Sequence, residues 1–431
     1  ALDHFQTAQK GKVLRTFAGL GRLQVVSVPP GQTVEGLIAK YQKSGLVEFA
    51  EPDYIGHLFS TIPNDPKYLY GTLWGLNVIE APAAWDVMTS ASNIVVAVLD
   101  TGVRYTHEDL ASNMWVNPND GGHGWNALTG TSDPSDDSGH GTGVAGVLGA
   151  VGNNGKGVAG VAWRVQIMAC KCFNNLGLGN VSDVVACMDY ARTNGARIIN
   201  ASWGFTNSLA LSNAVASLRD AGIIVVAACG NSATNRDVDP TYPASYTLEN
   251  IVTVASLTRS NTLAATSNFG SNDVDLAAPG EGIYTTFAAT DNYYISQSGT
   301  SFAAPYVTGT LALMLAKFPT DNYRQIIARL LNAADPLPSL TGKCVTGGRL
   351  DLHNALSPPI ILSGNFPVKG APVQLLRASG PNRPCVIEVS ADLTGWSPVF
   401  TNTTSADGTF DFTNTTAAGS AQQFFRAVAA P

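Results

Sequence analysis

Four short segments hold side chains that could attack a carbonyl and move a proton. "VLDTGV" ends an apolar run on Asp100, "GHGTGVAG" sets His140 between glycines, "ACGNSA" carries Asn231, and "GTSFAAP" opens an apolar stretch with Ser301. Each alone has a plain structural reading: a serine before an apolar segment caps a helix, an aspartate or asparagine makes a turn, and a loop histidine is solvated. Together, each at a strand end or a helix mouth, they form a chemical set. A serine hydroxyl becomes a nucleophile when an imidazole accepts its proton, and the imidazole needs a buried carboxylate to fix its tautomer and stabilise its charged form. The oxyanion formed on the attacked carbonyl needs donors already in place, which the Asn231 amide and the Ser301 backbone N–H would supply. Gly139, Gly141, Gly230 and Gly299 leave room for backbone and substrate to approach.

The elements that must position these groups follow from periodicity. Residues 93–100, 165–173, 196–203, 222–229 and 250–256 are apolar runs too short for buried helices and without polar alternation, which predicts strands covered on both faces. Between them, 182–195 and 209–222 start at capping residues, carry apolar positions at helical spacing and end at glycine. Strand and helix in alternation predict an α/β fold, a parallel sheet wrapped by helices, with ligand sites beyond the carboxyl ends of the strands.

Two flanking regions differ. Residues 1–60 are expected to form a small α+β unit: a helical stretch over 4–17, a strand over 22–29, a helix over 33–45 and a strand over 47–57, closed by the proline-broken linker 61–66. Beyond residue 357 the composition turns to Thr, Asn, Ser and Gly, and short alternating segments predict a C-terminal β-sandwich over 357–431. The central unit is then 61–356.

Composition bounds the function classes. With 431 residues, 45% hydrophobic and 13% charged, the chain can bury a large core without relying on surface ion pairs. A net charge of -7 argues against nucleic acid and anionic membranes as partners. No apolar run is long enough to span a bilayer, and the first residues lack the apolar core of a secretory signal, so any such signal is expected either upstream of these residues or not at all. The six cysteines allow fifteen connectivities if all pair; Cys170 and Cys172 share a strand face, and a bridge from either to Cys187 on the next helix is one option.

The order Asp, His, Ser with the blocks "DTG", "HGT" and "GTSFAAP", and the asparagine block between the last two, resembles the subtilisin-like serine peptidases over roughly residues 61–355. The resemblance implies a secreted, monomeric serine endopeptidase acting on proteins or peptides through an acyl-enzyme, in which Asp100 orients, His140 is base then acid, Ser301 attacks and Asn231 holds the oxyanion. Two departures stand out: Gly143 where the family commonly has a second histidine, and Cys229 where it usually has alanine, which suggests a thiol bordering the specificity pocket. A sedolisin-like acid peptidase shares the serine block but not the histidine; an α/β-hydrolase esterase needs the opposite chain order. A catalytically silent, propeptide-bound binding protein is the alternative from another class.

The same resemblance places the substrate as an added strand between Leu178, Gly179, Asn180 and Ser202, Trp203, Gly204, with Cys229 and Gly230 on the far wall of the pocket and its floor near residues 241–245. No acid lies in that floor stretch, so the preference read from sequence is apolar or broad rather than for Lys or Arg. It also implies a structural calcium on the Asp65 and Asp109 carboxylates, the Asn154 amide and the carbonyls of Val151, Lys156 and Val158, as in thermitase-like relatives. The acidic stretch 132–139 reads either as a second ion site or as a solvated loop, since carboxylates expected there are replaced at Asn126, Thr129 and Thr131. Residues 1–60 resemble the family propeptide, a folding assistant and inhibitor, which implies self-cleavage near 58–62.

Overall fold

The computed structural model describes residues 1–21, 23–53 and 61–357 and six strands beyond them. The chain divides into two compact units, Ala1–Phe59 and Ser60–Pro431.

In the first unit, helix α1 (Leu2–Gln9) is followed by strands β1 (Val13–Phe17) and β2 (Leu23–Val26), paired antiparallel, and by helix α2 (Val34–Ser44). Thr33 caps α2 by accepting from Gly36 N, and Gly45 closes it in a left-handed conformation. The helix expected over 4–17 is thus half strand. Lys10 turns left-handed and ends α1, and the β-branched residues that follow pair with β2 instead. Residues 47–53 are not a strand either, and the rest of the strand expected there lies outside the described residues.

The second unit is built on a sheet that has nine strands among the described residues. In chain order these are β3 (Ser90–Asp100), β4 (Gly124–Asn126), β5 (Arg164–Lys171), β6 (Ile198–Ala201), β7 (Ile224–Ala228), β8 (Ile251–Leu257), β9 (Leu276–Pro279) and, after the separate hairpin β10 (Ile283–Thr286) and β11 (Tyr294–Gln297), the short β12 (Asp335–Pro336) and β13 (Gly348–Arg349). The spatial order is β12-β13-β9-β8-β7-β6-β3-β5-β4, all parallel but for the β12–β13 pair. Helices α3 (His140–Gly149), α4 (Val181–Thr193), α5 (Leu209–Asp220), α6 (Thr300–Lys317) and α7 (Tyr323–Asn332) are the longer ones of this unit.

Both sheet faces are covered, which is why the strands read as continuous apolar runs. One core gathers α3 and α6 residues such as Leu148 and Leu311 with Val96, Val98 and Ile198; the other packs α4 and α5 residues such as Met188 and Leu211 against Ala97, Leu99 and Ile199. Alternate residues of β3 therefore face opposite cores. Helix α6 is apolar nearly all round and buried from Phe302 to Leu315, the signature of a helix inside the protein rather than on it.

Near the C-terminus, strands β14 (Ile361–Asn365), β15 (Val373–Ser379) and β18 (Thr409–Asn414) form one antiparallel sheet, and β16 (Pro384–Ser390), β17 (Ser397–Thr403) and β19 (Phe424–Ala429) form another. Two antiparallel sheets are what the alternating segments predict.

Candidate functional site

The parallel register sets the carboxyl ends of β3, β6 and β7 side by side, and the candidate residues sit there. Asp100 is the last residue of β3 and is 2% exposed. Its Oδ1 accepts from Thr101 N at 2.7 Å and lies 2.8 Å from His140 Nδ1. His140 opens α3, and the residue after it has to be glycine: a Cβ on Gly141 would lie 2.1 Å from the Gly102 carbonyl oxygen and 3.0 Å from Asp100 Cβ. Burial lowers the imidazole pKa, but the Asp100 charge, its hydrogen bond and the Asp136 charge outweigh this, and the net direction is upward.

Asp136 was not singled out by sequence, yet it anchors this helix start. It accepts from Ser138 N, Gly139 N and Thr142 N at 2.9 Å each, from Thr142 Oγ1 at 2.6 Å and from Thr101 Oγ1 at 2.8 Å. An acid in the loop before a helix is the usual partner of unpaired first-turn N–H groups, and that signal was present in "DDSGHGT". Neighbouring Asp137 pairs with the Lys171 ammonium at 2.5 Å, and Lys171 also donates to Thr101 O at 2.6 Å. The acidic stretch 132–139 is thus occupied by the protein's own donors.

Ser301 lies in the first turn of α6, where its N–H has no intrahelical acceptor. Its Oγ donates to the Ser202 carbonyl at 3.2 Å, and Ser202 Oγ donates back to the Ser301 carbonyl at 2.9 Å. Asn200 supports this exchange from below, donating to Ser202 Oγ at 2.9 Å and accepting from Thr308 Oγ1 at 2.8 Å. Phe302, next in the chain, sets its ring edge-on to His140 with centroids 5.4 Å apart, which brings this turn of α6 against the imidazole. Asn231 Oδ1 accepts from Thr300 N at 2.8 Å and Thr300 Oγ1 at 3.0 Å, so its NH₂ is the end left to donate. Asn268, also missed from sequence, shapes this loop: its Oδ1 accepts from Ser232 N at 2.9 Å and Thr234 N at 3.0 Å, and its Nδ2 donates to Cys229 O at 2.8 Å.

The residues expected to bind substrate lie on two segments. Leu178 is 64% exposed, Gly179 is pressed against the Cys172 carbonyl, where a Cβ would come within 2.2 Å, and Asn180 forms a capping box with Asp183 on α4. On the other segment Trp203 anchors its indole N–H on Leu99 O at 2.8 Å, and Gly204 is exposed. Cys229 corrects the expectation made for it. Its thiol is turned away into a small core with Leu257, Leu340 and Cys344 and is held 3.1 Å from Asn268 O; burial pushes its pKa up to about 12. Cys170, Cys172, Cys187, Cys229 and Cys344 are free and buried, and the side chain of Cys385 lies outside the described residues.

The other departure is explained by packing. A Cβ on Gly143 would meet Gln297 Nε2 at 2.5 Å and Phe302 Cε1 at 3.1 Å, so these side chains fill the space a histidine would need.

The residues expected to hold calcium converge. Asp65 and Asp109 are fully buried. Asp65 accepts from Asn153 N at 2.6 Å, and Asp109 accepts from Asn154 Nδ2 and Tyr294 Oη at 2.8 Å each and from Val158 N at 2.9 Å. Burial pushes the Asp65 carboxyl up to about 6, and the Asp109 charge adds to the rise. The nearby Lys156 ammonium turns to Glu108 at 3.4 Å rather than to either acid. Among the described residues the carbonyls of Val151, Lys156 and Val158 accept no hydrogen bond. Also among these, no three His, Cys, Asp or Glu side chains gather as a metal cluster, so a cation here would draw on backbone and amide oxygens. Two buried acids without a paired Lys, Arg or His among the described residues, beside free carbonyls, suit a hard divalent cation.

Comparison with known proteins gives the family and the fold. Residues 91–358 match the subtilase family and residues 1–53 the fervidolysin N-terminal prodomain. The chain is 37% identical over 325 residues to a thermophilic serine proteinase of Bacillus sp. (strain AK1), covering 75% of this chain and 76% of that protein. It is 36% identical over 295 residues to thermitase of Thermoactinomyces vulgaris, covering 68% of this chain and 99% of that one. Among solved structures, a protease from Pseudoalteromonas arctica PAMC 21717 superposes with a TM-score of 0.59 at 30% identity, covering 69% of this chain and 99% of that one.

Proposed function

The chain belongs to the subtilase family of serine peptidases and carries a fervidolysin-like prodomain, and from that premise we propose that Asp100, His140 and Ser301 form its catalytic triad, with Asn231 as an oxyanion donor. The observation that carries this reading is the 2.8 Å contact between the buried Asp100 carboxylate and His140 Nδ1, made where the first turn of α6 presents Ser301. The contact fixes the tautomer with Nε2 free to accept a proton. The Ser301 hydroxyl leaves the Ser202 carbonyl and passes its proton to Nε2 as Oγ attacks the peptide carbonyl. The oxyanion takes hydrogen bonds from Asn231 Nδ2 and the Ser301 N–H. His140 then protonates the leaving amine as the C–N bond breaks, and water repeats the sequence on the acyl-enzyme to release the acid and restore Ser301.

The substrate lies between 178–180 and 202–204, bound by backbone, with Gly230 on the far wall of the specificity pocket. Calcium, held by Asp65, Asp109, Asn154 and the carbonyls of Val151, Lys156 and Val158, would neutralise the two buried acids and stiffen their loop. The protein works outside the cell as a monomer after removing residues 1–60, which assist folding and inhibit until released. The catalytic domain is 61–356, and 357–431 is an accessory domain. Among the described residues no helix is long and apolar enough to cross a membrane.

Purified wild type and Ser301→Ala, incubated with a denatured protein substrate, test the reading. Wild type is expected to digest it and to cut itself near 58–62, while Ser301→Ala stays whole and inert; a Ser301→Ala chain that digests substrate at the wild-type rate refutes it.

A further inference from the structure

We propose that Arg236 is a specificity-determining residue, its guanidinium standing behind the pocket floor and favouring glutamate or aspartate immediately before the scissile bond. The inference rests on the pocket assigned above, but its charge comes from a residue that assignment did not contain. The floor is fixed to one wall by contact: a Cβ on Gly204 would lie 2.4 Å from Thr241 Cγ2, and Phe205 and Tyr242 exchange backbone hydrogen bonds of 2.7 and 3.0 Å. Behind that floor lies Arg236. Its Nη1 donates to Thr241 Oγ1 and its Nη2 to Thr234 Oγ1, so one guanidinium ties the floor to the loop that leads from Asn231.

That guanidinium is poorly neutralised. Its side chain is 3% exposed, and its buried Nε has no hydrogen-bond partner among the described residues. Among the described residues the one carboxylate on it is Asp239, through a single oxygen at 2.9 Å, and the Asp239 side chain is 67% exposed. The other acid of the loop, Asp237, is turned away: it accepts from Ser271 N, Asn272 N and Asp273 N at 2.8 to 3.1 Å. A cation removed from water and shared between two neutral hydroxyls and one solvated carboxylate favours a further anion. The proposed pocket meets Arg236 through Thr241, whose Cγ2 faces Gly204 and whose Oγ1 accepts from the guanidinium. An acidic side chain there would gain charge-assisted hydrogen bonds that its amide analogue lacks, and a lysine would be repelled. The apolar or broad preference read from residues 241–245 overlooked this because the charge lies five residues upstream and reaches the floor only through the folded loop.

The test uses the matured full chain and fluorogenic peptides identical except for Glu, Gln, Leu or Lys before the cleaved bond. Wild type is expected to give kcat/KM for Glu about tenfold or more above Gln, with Lys lowest. Asp239→Asn, an exposed change that removes the competing carboxylate, is expected to raise the Glu-to-Gln ratio severalfold. Arg236→Gln is expected to bring it to about one, and Arg236→Lys to restore part of it. Equal Glu and Gln rates in wild type, or a ratio that Asp239→Asn leaves unchanged, overturns the proposal even if Arg236→Gln does not fold. A wild type that cleaves Leu peptides without acidic preference leaves the peptidase reading standing; one that cleaves none overturns both.

Discussion

At the scale of single residues, the imidazole's environment sets a pH dependence. Burial pulls the His140 pKa down, but Asp100 and Asp136 together raise it above its ordinary value. The base works only when neutral, so kcat/KM should rise as pH climbs through that elevated value and not before. The same shift stabilises the fold below the unfolded histidine pKa, and this contribution is lost as pH rises through the folded value. Asp100→Asn should lower kcat by about 10⁴-fold, since the ring loses its fixed tautomer. It should also move the acidic limb of the kcat/KM profile to lower pH, because burial then acts with less opposition. A profile whose acidic limb does not move would show that Asp100 does not act on His140. The four chemical residues were legible in sequence because each sits in a short block of glycines and small residues at a strand or helix end. Asp136 was readable only as an acid in the loop before a helix, a signal that does not name its partners. Asn268 was not legible, because its partners are mostly backbone groups, which have no side-chain signature to be spaced against.

Elements carry the next layer. The register of β3, β6 and β7 delivers Asp100, Ser202 and the Asn231 loop to one edge, and α3 and α6 bring His140 and Ser301 to it by their first turns. The two-sided apolar strands and the capped helices were readable because burial on both faces leaves no alternation. The α1–β1 region misled because "HFQTAQKGKVLRTF" carries apolar residues at helical spacing while its second half pairs antiparallel with β2, a partner a local window cannot see. Helix α3 has no side-chain N-cap of its own, and Asp136 performs that task from the preceding loop. Asp136→Ala therefore leaves several first-turn donors unpaired. It should destabilise the protein by about 2–3 kcal/mol in denaturant melts and lower kcat more than it raises KM, as the helix carrying His140 loosens. Unchanged stability would mean that the helix start is held by something else.

At the scale of the whole molecule, a peptidase of the subtilase family carries a prodomain and a loop suited to calcium. Asp65 and Asp109 bury two acids with no side-chain cation paired to them among the described residues, so the fold should depend on a bound one. Calcium is expected to raise Tm by several degrees over a chelator-treated sample, and Asp65→Asn to shrink that difference. A Tm indifferent to chelator would remove the ion. Neither fold nor cation matters to catalysis, however, unless the dispersed residues Asp100, His140 and Ser301 act as one unit. The most direct measurement is labelling of the matured protein with a serine-directed phosphonate, followed by mass spectrometry of its peptides. One phosphonate on Ser301, absent in His140→Ala, is the predicted result; hydrolysis that continues with Ser301 unlabelled, or a label on another serine, would contradict it.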